Sequence, residues 1–114
     1  MMVRNRNPNI IMCDVDCTLI EPFDITKHEP GQMLDITTPW GTEHFVELKH
    51  VTRRLRRQHM QGHYVIVWSQ GGDEWTEIVV KALKLQDCVD QIMTKPKWYF
   101  DDLPADEWMK RTIP

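Results

Sequence analysis

The sequence has no long hydrophobic run. Its longest uninterrupted apolar stretch is the five residues 64–68, whereas a membrane-spanning helix needs about 20. The first residues, MMVRNRNPN, are partly basic, but they lead into Asp14 and Asp16 and not into the apolar segment of a secretory signal. We therefore expect no membrane span and no secretory signal.

Cysteines are also few. Cys13, Cys17 and Cys88 are an odd number in a chain of 114 residues, which is long enough to form its own core. Zinc sites commonly carry two C-x₂-C doublets, and these are absent. We therefore predict reduced, structural thiols and a cytoplasmic protein.

A strong excess of one charge is missing as well. Lys and Arg total 14 against 17 Asp and Glu, a net charge of −3, so overall charge does not by itself indicate a nucleic-acid partner. Hydrophobic residues make up 41% and charged residues 27%, as in ordinary globular proteins. We expect one domain over residues 1–114.

Two short apolar runs and two periodic stretches predict an α/β fold. Buried strands are predicted at about residues 9–15 and 64–68. Apolar residues at Phe45, Leu48, Val51 and Leu55 predict an amphipathic helix that runs to about Gln61. A second helix is predicted after Asp73, with an apolar stripe formed by Trp75, Ile78, Val79, Ala82 and Leu83.

The remaining segments contain turns and shorter candidate elements. TTPWGTE predicts a turn between strands 33–37 and 42–46, and so a hairpin within a flap at 21–44. Candidate strands follow at 89–93 and 98–100, and a last helix at 104–111. This order predicts an α/β fold with a mainly parallel sheet.

Polar residues follow the predicted strands at the point where each ends. Asp14 and Asp16 follow the first, Ser69 follows the second, and Asp101 and Asp102 follow the 98–100 run. The carboxyl ends of parallel strands meet at one edge of a sheet, where ligands bind. Singly, each residue is an ordinary helix cap, but four aspartates at one edge repel one another and normally need a cation. We predict bound Mg²⁺.

These segments resemble the motifs of the haloacid dehalogenase-like (HAD) superfamily of phosphotransferases. Asp14-Val-Asp-Cys-Thr-Leu fits the D-x-D-x-T signature, and Val65-Ile-Val-Trp-Ser resembles the second motif. Lys95 resembles the third-motif lysine, and Tyr99-Phe-Asp-Asp resembles the acidic fourth motif. Together they span residues 10 to 102, in an order most similar to small HAD hydrolases often carried by bacteriophages. A phage origin would place the protein in the host cytoplasm.

The resemblance implies a compact Rossmann-like three-layer sandwich without a cap domain, and a Mg²⁺-dependent phosphatase. Asp14 would be the nucleophile that forms an aspartyl-phosphate, and Asp16 the general acid and base. Mg²⁺ would be held by Asp14, by the backbone carbonyl of Asp16 and by Asp101. Asp102 would be an outer or alternative ligand.

The same resemblance implies a phosphate-binding set. Ser69 would donate a hydrogen bond to a phosphoryl oxygen, and Lys95 would balance its charge, with Lys97 as the alternative lysine. Thr18 and Gln70 are further predicted phosphate ligands. Cys17 occupies a position where the family most often has Gly.

Two substrate classes fit these residues, a phosphorylated small molecule and a nucleic-acid end. Among them we favour a nucleotide or a polynucleotide 3′-phosphate. The run Arg53-Arg-Leu-Arg-Arg could contact a phosphate backbone or simply be a solvated helix face. The alternative function is a non-catalytic HAD-like binding module that uses the basic helix 49–59 to hold nucleic acid or a protein. Oligomeric state is left open.

Overall fold

The computed structural model describes residues 9–112. Two small sheets and two helices make up the regular structure. In chain order the elements are β1 (Ile10–Asp14), β2 (Ile20–Pro22), β3 (Met33–Thr38), β4 (Gly41–Glu47), α1 (Lys49–Met60), β5 (Tyr64–Ser69), α2 (Asp73–Ala82) and β6 (Gln91–Thr94). The predicted mixed α/β class is confirmed.

A parallel three-stranded sheet in the order β1-β5-β6 forms the centre of the fold. Val65 and Val67 of β5 are fully buried, which explains why this strand is an unbroken apolar run. Asp14 is in register with Trp68, and Ser69 is in register with Thr94. The three strands therefore end at one edge, which the sequence predicts for β1 and β5, whereas the third predicted strand at this edge, 98–100, is not formed.

Helix α1 carries the chain from the carboxyl ends of the strands of this sheet back to their amino ends. The Leu48 amide, just before α1, donates a hydrogen bond of 2.8 Å to the Leu19 carbonyl beyond the end of β1. At the other end, the Tyr64 amide donates to the Asn9 carbonyl at the start of β1 (3.0 Å). α1 thus runs from the carboxyl edge back to the amino edge of the sheet.

Apolar side chains attach both helices to the sheet. Val51 and Leu55 of α1 and Val79 and Val80 of α2 are buried in the common core. Gly62, with φ of 89°, ends the turn after α1 in a conformation that favours glycine. None of the described helices is long and apolar enough to cross a membrane.

The 20–47 region forms a second sheet, antiparallel, in the order β2-β4-β3. The predicted hairpin is confirmed: Thr38 pairs with Gly41 across the turn. Ile36 and Phe45 are buried and join the main core. The predicted flap is therefore a small sheet and not an irregular loop.

Three predictions of secondary structure are wrong in part. The first helix begins at Lys49, because Phe45 and Val46 pair as strand residues with β2 and β3; tertiary pairing overrides the helical spacing. Residues 98–100 form no strand, and Trp98 is 87% exposed although its pattern suggested a core position. The last helix is reduced to a single 3-10 turn, Ala105–Glu107.

Candidate active site

Two segments meet at the carboxyl edge of the parallel sheet. The hydroxyl of Ser69, the last residue of β5, donates a hydrogen bond of 3.3 Å to Oδ2 of Asp16. Asp16 lies two residues beyond Asp14, the last residue of β1. Asp14 is partly exposed and Asp16 is exposed. The structure therefore brings the predicted nucleophile, the predicted acid and base, and Ser69 to one edge.

A tight turn holds Asp16 at this edge. Val15 and Leu19 are fully buried on either side of it, and the Leu19 amide donates to the Val15 carbonyl (2.9 Å). The Cys17 amide donates to the Ile20 carbonyl (2.8 Å). Cys17 has φ of 60°, a left-handed conformation that costs a residue with a side chain about 1 kcal/mol. Thr18 is partly exposed in the same turn.

The hydroxyl of Ser69 has two partners inside the protein. It accepts a hydrogen bond from the Gly71 amide (2.9 Å) while it donates to Asp16. Ser69 is fully buried, whereas Gln70 beside it is exposed. In this structure Ser69 therefore positions Asp16, and its predicted contact with a phosphoryl oxygen would require that the hydroxyl exchange partners.

Gly71 makes this turn possible. A Cβ atom at position 71 would lie 2.8 Å from Cδ1 of Trp75 and 3.3 Å from Oγ of Ser69. The first contact is shorter than side chains tolerate, because the Trp75 ring is packed against the core. Glycine is thus required by the close approach of the turn to α2.

Lys95 lies at the same edge. Its amide donates a hydrogen bond of 2.9 Å to the Ser69 carbonyl and so extends the ladder between β5 and β6. Its ammonium group lies 5.9 Å from the centre of the Trp68 ring, within the range of a cation–π contact. Lys95 is partly buried whereas Lys97 is exposed, and the phosphate-binding role of either lysine stays a prediction.

Asp101 and Asp102 lie in an irregular, exposed segment. Oδ1 of Asp101 accepts a hydrogen bond from the Leu103 amide (3.0 Å), and this bond lowers the pKa of Asp101. Across residues 9–112, no group of three or more His, Cys, Asp or Glu side chains is placed to hold a metal ion. The four predicted aspartates are therefore not assembled into one metal site in this structure.

The Asp14 and Asp16 pair still matches what magnesium requires. Mg²⁺ is usually bound in proteins by one or two carboxylates, together with water and substrate phosphate, and seldom by a closed protein cage. The partly exposed Asp14 carboxylate at the sheet edge, with the backbone carbonyl of Asp16, provides such ligands. The fit therefore does not depend on Asp101 or Asp102.

A cleft with polar and apolar lining lies beside the start of α1, and it was not predicted from the sequence. It has a volume of about 470 Å³ and is lined by Glu21, His28, Glu47, Lys49 and His50, among others. His28 accepts the Asp24 amide at Nδ1 (3.0 Å), so its Nε2 carries the proton and donates to Glu21 (2.8 Å). Both nitrogens are thus engaged, and no sequence motif marks this pair.

Comparisons of this chain with protein-family models, with curated proteins and with solved structures find no match.

Proposed function

We propose that this protein is a Mg²⁺-dependent phosphatase, a phosphoric monoester hydrolase of the HAD type that acts through an aspartyl-phosphate. The observation that carries the proposal is the 3.3 Å hydrogen bond between Ser69 and Asp16, which joins the ends of two parallel strands beside Asp14. The parallel sheet with α1 and α2 would be the core of a Rossmann-like three-layer sandwich without a cap domain.

Hydrolysis would proceed in two displacements. An Asp14 oxygen attacks phosphorus, and the bond between phosphorus and the ester oxygen breaks while Asp16 donates a proton to that leaving oxygen. Water then attacks the aspartyl-phosphate and gives a proton to Asp16. The phosphorus–oxygen bond to Asp14 breaks, which releases phosphate and restores both side chains.

The surrounding groups would orient this reaction and balance its charge. Ser69 fixes the carboxyl group of Asp16, so it is a positioning residue. Lys95 supplies a cation at the edge, and Thr18 and Gln70 supply hydrogen-bond donors for phosphoryl oxygens. Mg²⁺, held by the Asp14 carboxylate and the backbone carbonyl of Asp16, would neutralise charge on the phosphoryl group. Asp101 and Asp102 stay predictions as additional ligands.

The edge admits phosphate esters attached to large molecules as well as small ones, because Asp16 is exposed and Asp14 is partly exposed. Nucleotides and polynucleotide 3′-phosphates are therefore suitable candidates. The test is hydrolysis of an aryl phosphate with and without Mg²⁺. We expect Mg²⁺-dependent turnover that Asp14→Asn abolishes and that Lys81→Gln, on the surface of α2, leaves unchanged.

A non-catalytic binding module that uses residues 49–59 is the second candidate. It is favoured by the absence of a third metal-binding side chain beside Asp14 and Asp16 within the part of the chain that the structure describes. It predicts no hydrolysis of any phosphate ester with Mg²⁺ present. Turnover that is lost in Asp14→Asn would exclude it.

A further inference from the structure

The outer face of α1 is a stripe of unpaired cations. The helix sequence KHVTRRLRRQHM contains no Asp or Glu. Arg56 and His59 lie near Asp87 (3.8 Å) and Asp90 (3.4 Å). Within α1, the exposed lysines and arginines that have no carboxylate of residues 9–112 within 4 Å are Lys49, Arg53, Arg54 and Arg57. We call these four residues the basic stripe.

The amino end of the basic stripe lies close to the 15–19 turn that follows Asp14. Lys49 follows Leu48, whose amide is bonded to Leu19 in the segment that follows Asp14. Lys49, Arg53 and Arg57 are four residues apart, so they lie on one side of the helix at intervals of about 6 Å. A ligand held by all three residues would follow the outside of α1 for about 12 Å.

Exposed aromatic rings follow the candidate site on the chain. Lys95, bonded through its amide to Ser69, is followed within five residues by Trp98, Tyr99 and Phe100. These side chains are 87%, 60% and 104% exposed. Large exposed aromatic groups are unusual in a folded chain unless they contact a partner, and base stacking on such rings is a common mode of binding single-stranded nucleic acid.

We infer that the basic stripe binds the phosphodiester backbone of a single-stranded nucleic acid whose phosphorylated end reaches Asp14. The placement of that end rests on the proposed function, whereas the contact with α1 does not. The stripe complements a chain of evenly spaced negative charges, and bases of the same strand stack on residues 98–100. An acidic protein, which could also cover the aromatic rings, is the alternative occupant that the test distinguishes.

The test measures binding of a fluorescein-labelled oligothymidylate 3′-phosphate to the full chain by anisotropy, without Mg²⁺ so that no turnover is needed. Four phosphate contacts predict a slope of log K against log salt of about −2.8, so a fourfold rise in salt weakens binding about 50-fold. Arg53→Gln/Arg57→Gln should reduce the slope to about −1.4 and the loss to about sevenfold.

The matched control is Lys81→Gln/Lys84→Gln, which removes the same charge from exposed positions in and after α2. It should keep the wild-type slope. Phe100→Ser should weaken binding at least fivefold without changing the slope, because it removes stacking and not charge. Ile25→Ser, which also removes an exposed apolar side chain, should have no effect.

Equal slopes for the two double variants would overturn the inference. Displacement of the oligonucleotide by poly-L-glutamate at the same concentration of charge would also overturn it, and would indicate an acidic protein partner. Tighter binding of a duplex of the same length would exclude a single strand. If binding fails while aryl phosphate is still hydrolysed, this inference is wrong and the proposed function stands.

Discussion

The Ser69 hydroxyl donates a hydrogen bond to the Asp16 carboxylate across 53 residues of sequence, at a distance of 3.3 Å. The same hydroxyl accepts the Gly71 amide. A single buried oxygen thus ties the turn after β1 to the turn after β5, and it fixes the direction of a carboxyl group that would move protons in the proposed reaction.

Ser69→Ala should therefore destabilise the protein and impair the site. The Gly71 amide would lose its acceptor and Asp16 its donor, and a typical intramolecular hydrogen bond contributes about 0.5–1.5 kcal/mol to the free energy of unfolding. Urea denaturation measures this cost. Gln70→Ala, at the exposed neighbouring position, should change the unfolding free energy by less than about 0.5 kcal/mol. A Ser69→Ala variant as stable as the wild type would show that the bond contributes nothing.

Gly71→Ala should destabilise the turn through steric conflict. The added methyl group would meet Cδ1 of Trp75 at 2.8 Å, and accommodating an extra methyl in a packed site costs about 1–3 kcal/mol. Thermal unfolding compared with Gly31→Ala provides the control, because a Cβ at position 31 has no neighbour within 4 Å. Equal melting temperatures for the two variants would contradict the described packing.

The three thiols should differ sharply in reactivity. Burial raises the pKa of the Cys13 thiol to about 12, with a further contribution from the Asp14 carboxylate, and burial also raises the pKa of Cys88. Cys17 is exposed. Since only thiolate reacts, at pH 8 about one Cys13 thiol in ten thousand is reactive.

Titration of the native protein with a thiol reagent should accordingly show one fast equivalent, and three after denaturation. Cys17→Ser should remove the fast phase. A second fast equivalent in the native wild-type protein would mean that Cys13 or Cys88 is accessible.

Asp101 and Asp102 provide a direct test of the fourth-motif prediction. If Asp101 is a direct metal ligand, Asp101→Asn should raise the Mg²⁺ concentration for half-maximal hydrolysis by more than tenfold. Asp102→Asn should raise this concentration by a smaller factor than Asp101→Asn does, because Asp102 would be an outer group. The rate is measured across a series of Mg²⁺ concentrations. Identical Mg²⁺ dependence in both variants and the wild type would leave Asp14 as the metal-binding carboxylate.

Much of the central fold could be predicted because a strand that is buried on both faces is a continuous apolar run in the sequence. β1 and β5 are continuous apolar runs, and α2 has a regular apolar stripe over a full ten residues. The rule that parallel strands end at one edge then places Asp14 and Ser69 together without coordinates.

The rest depended on tertiary contacts that local patterns do not encode. Phe45 fits a helical stripe and an alternating strand equally well, and only its pairing with Pro22 and Leu34 decides between them. The aromatic run 98–100 has strand-like composition, yet it pairs with no strand in the described chain. The bond between Ser69 and Asp16 depends on turn geometry at both ends, which spacing alone does not specify.

The most direct test of the account is to stop turnover of a phosphate monoester with acid and locate covalent phosphate by peptide mass spectrometry. The account predicts phosphate on the peptide that contains Asp14, dependent on Mg²⁺ and absent from Asp14→Asn. Hydrolysis that proceeds without covalent phosphate on this peptide, or with phosphate attached elsewhere, would contradict it.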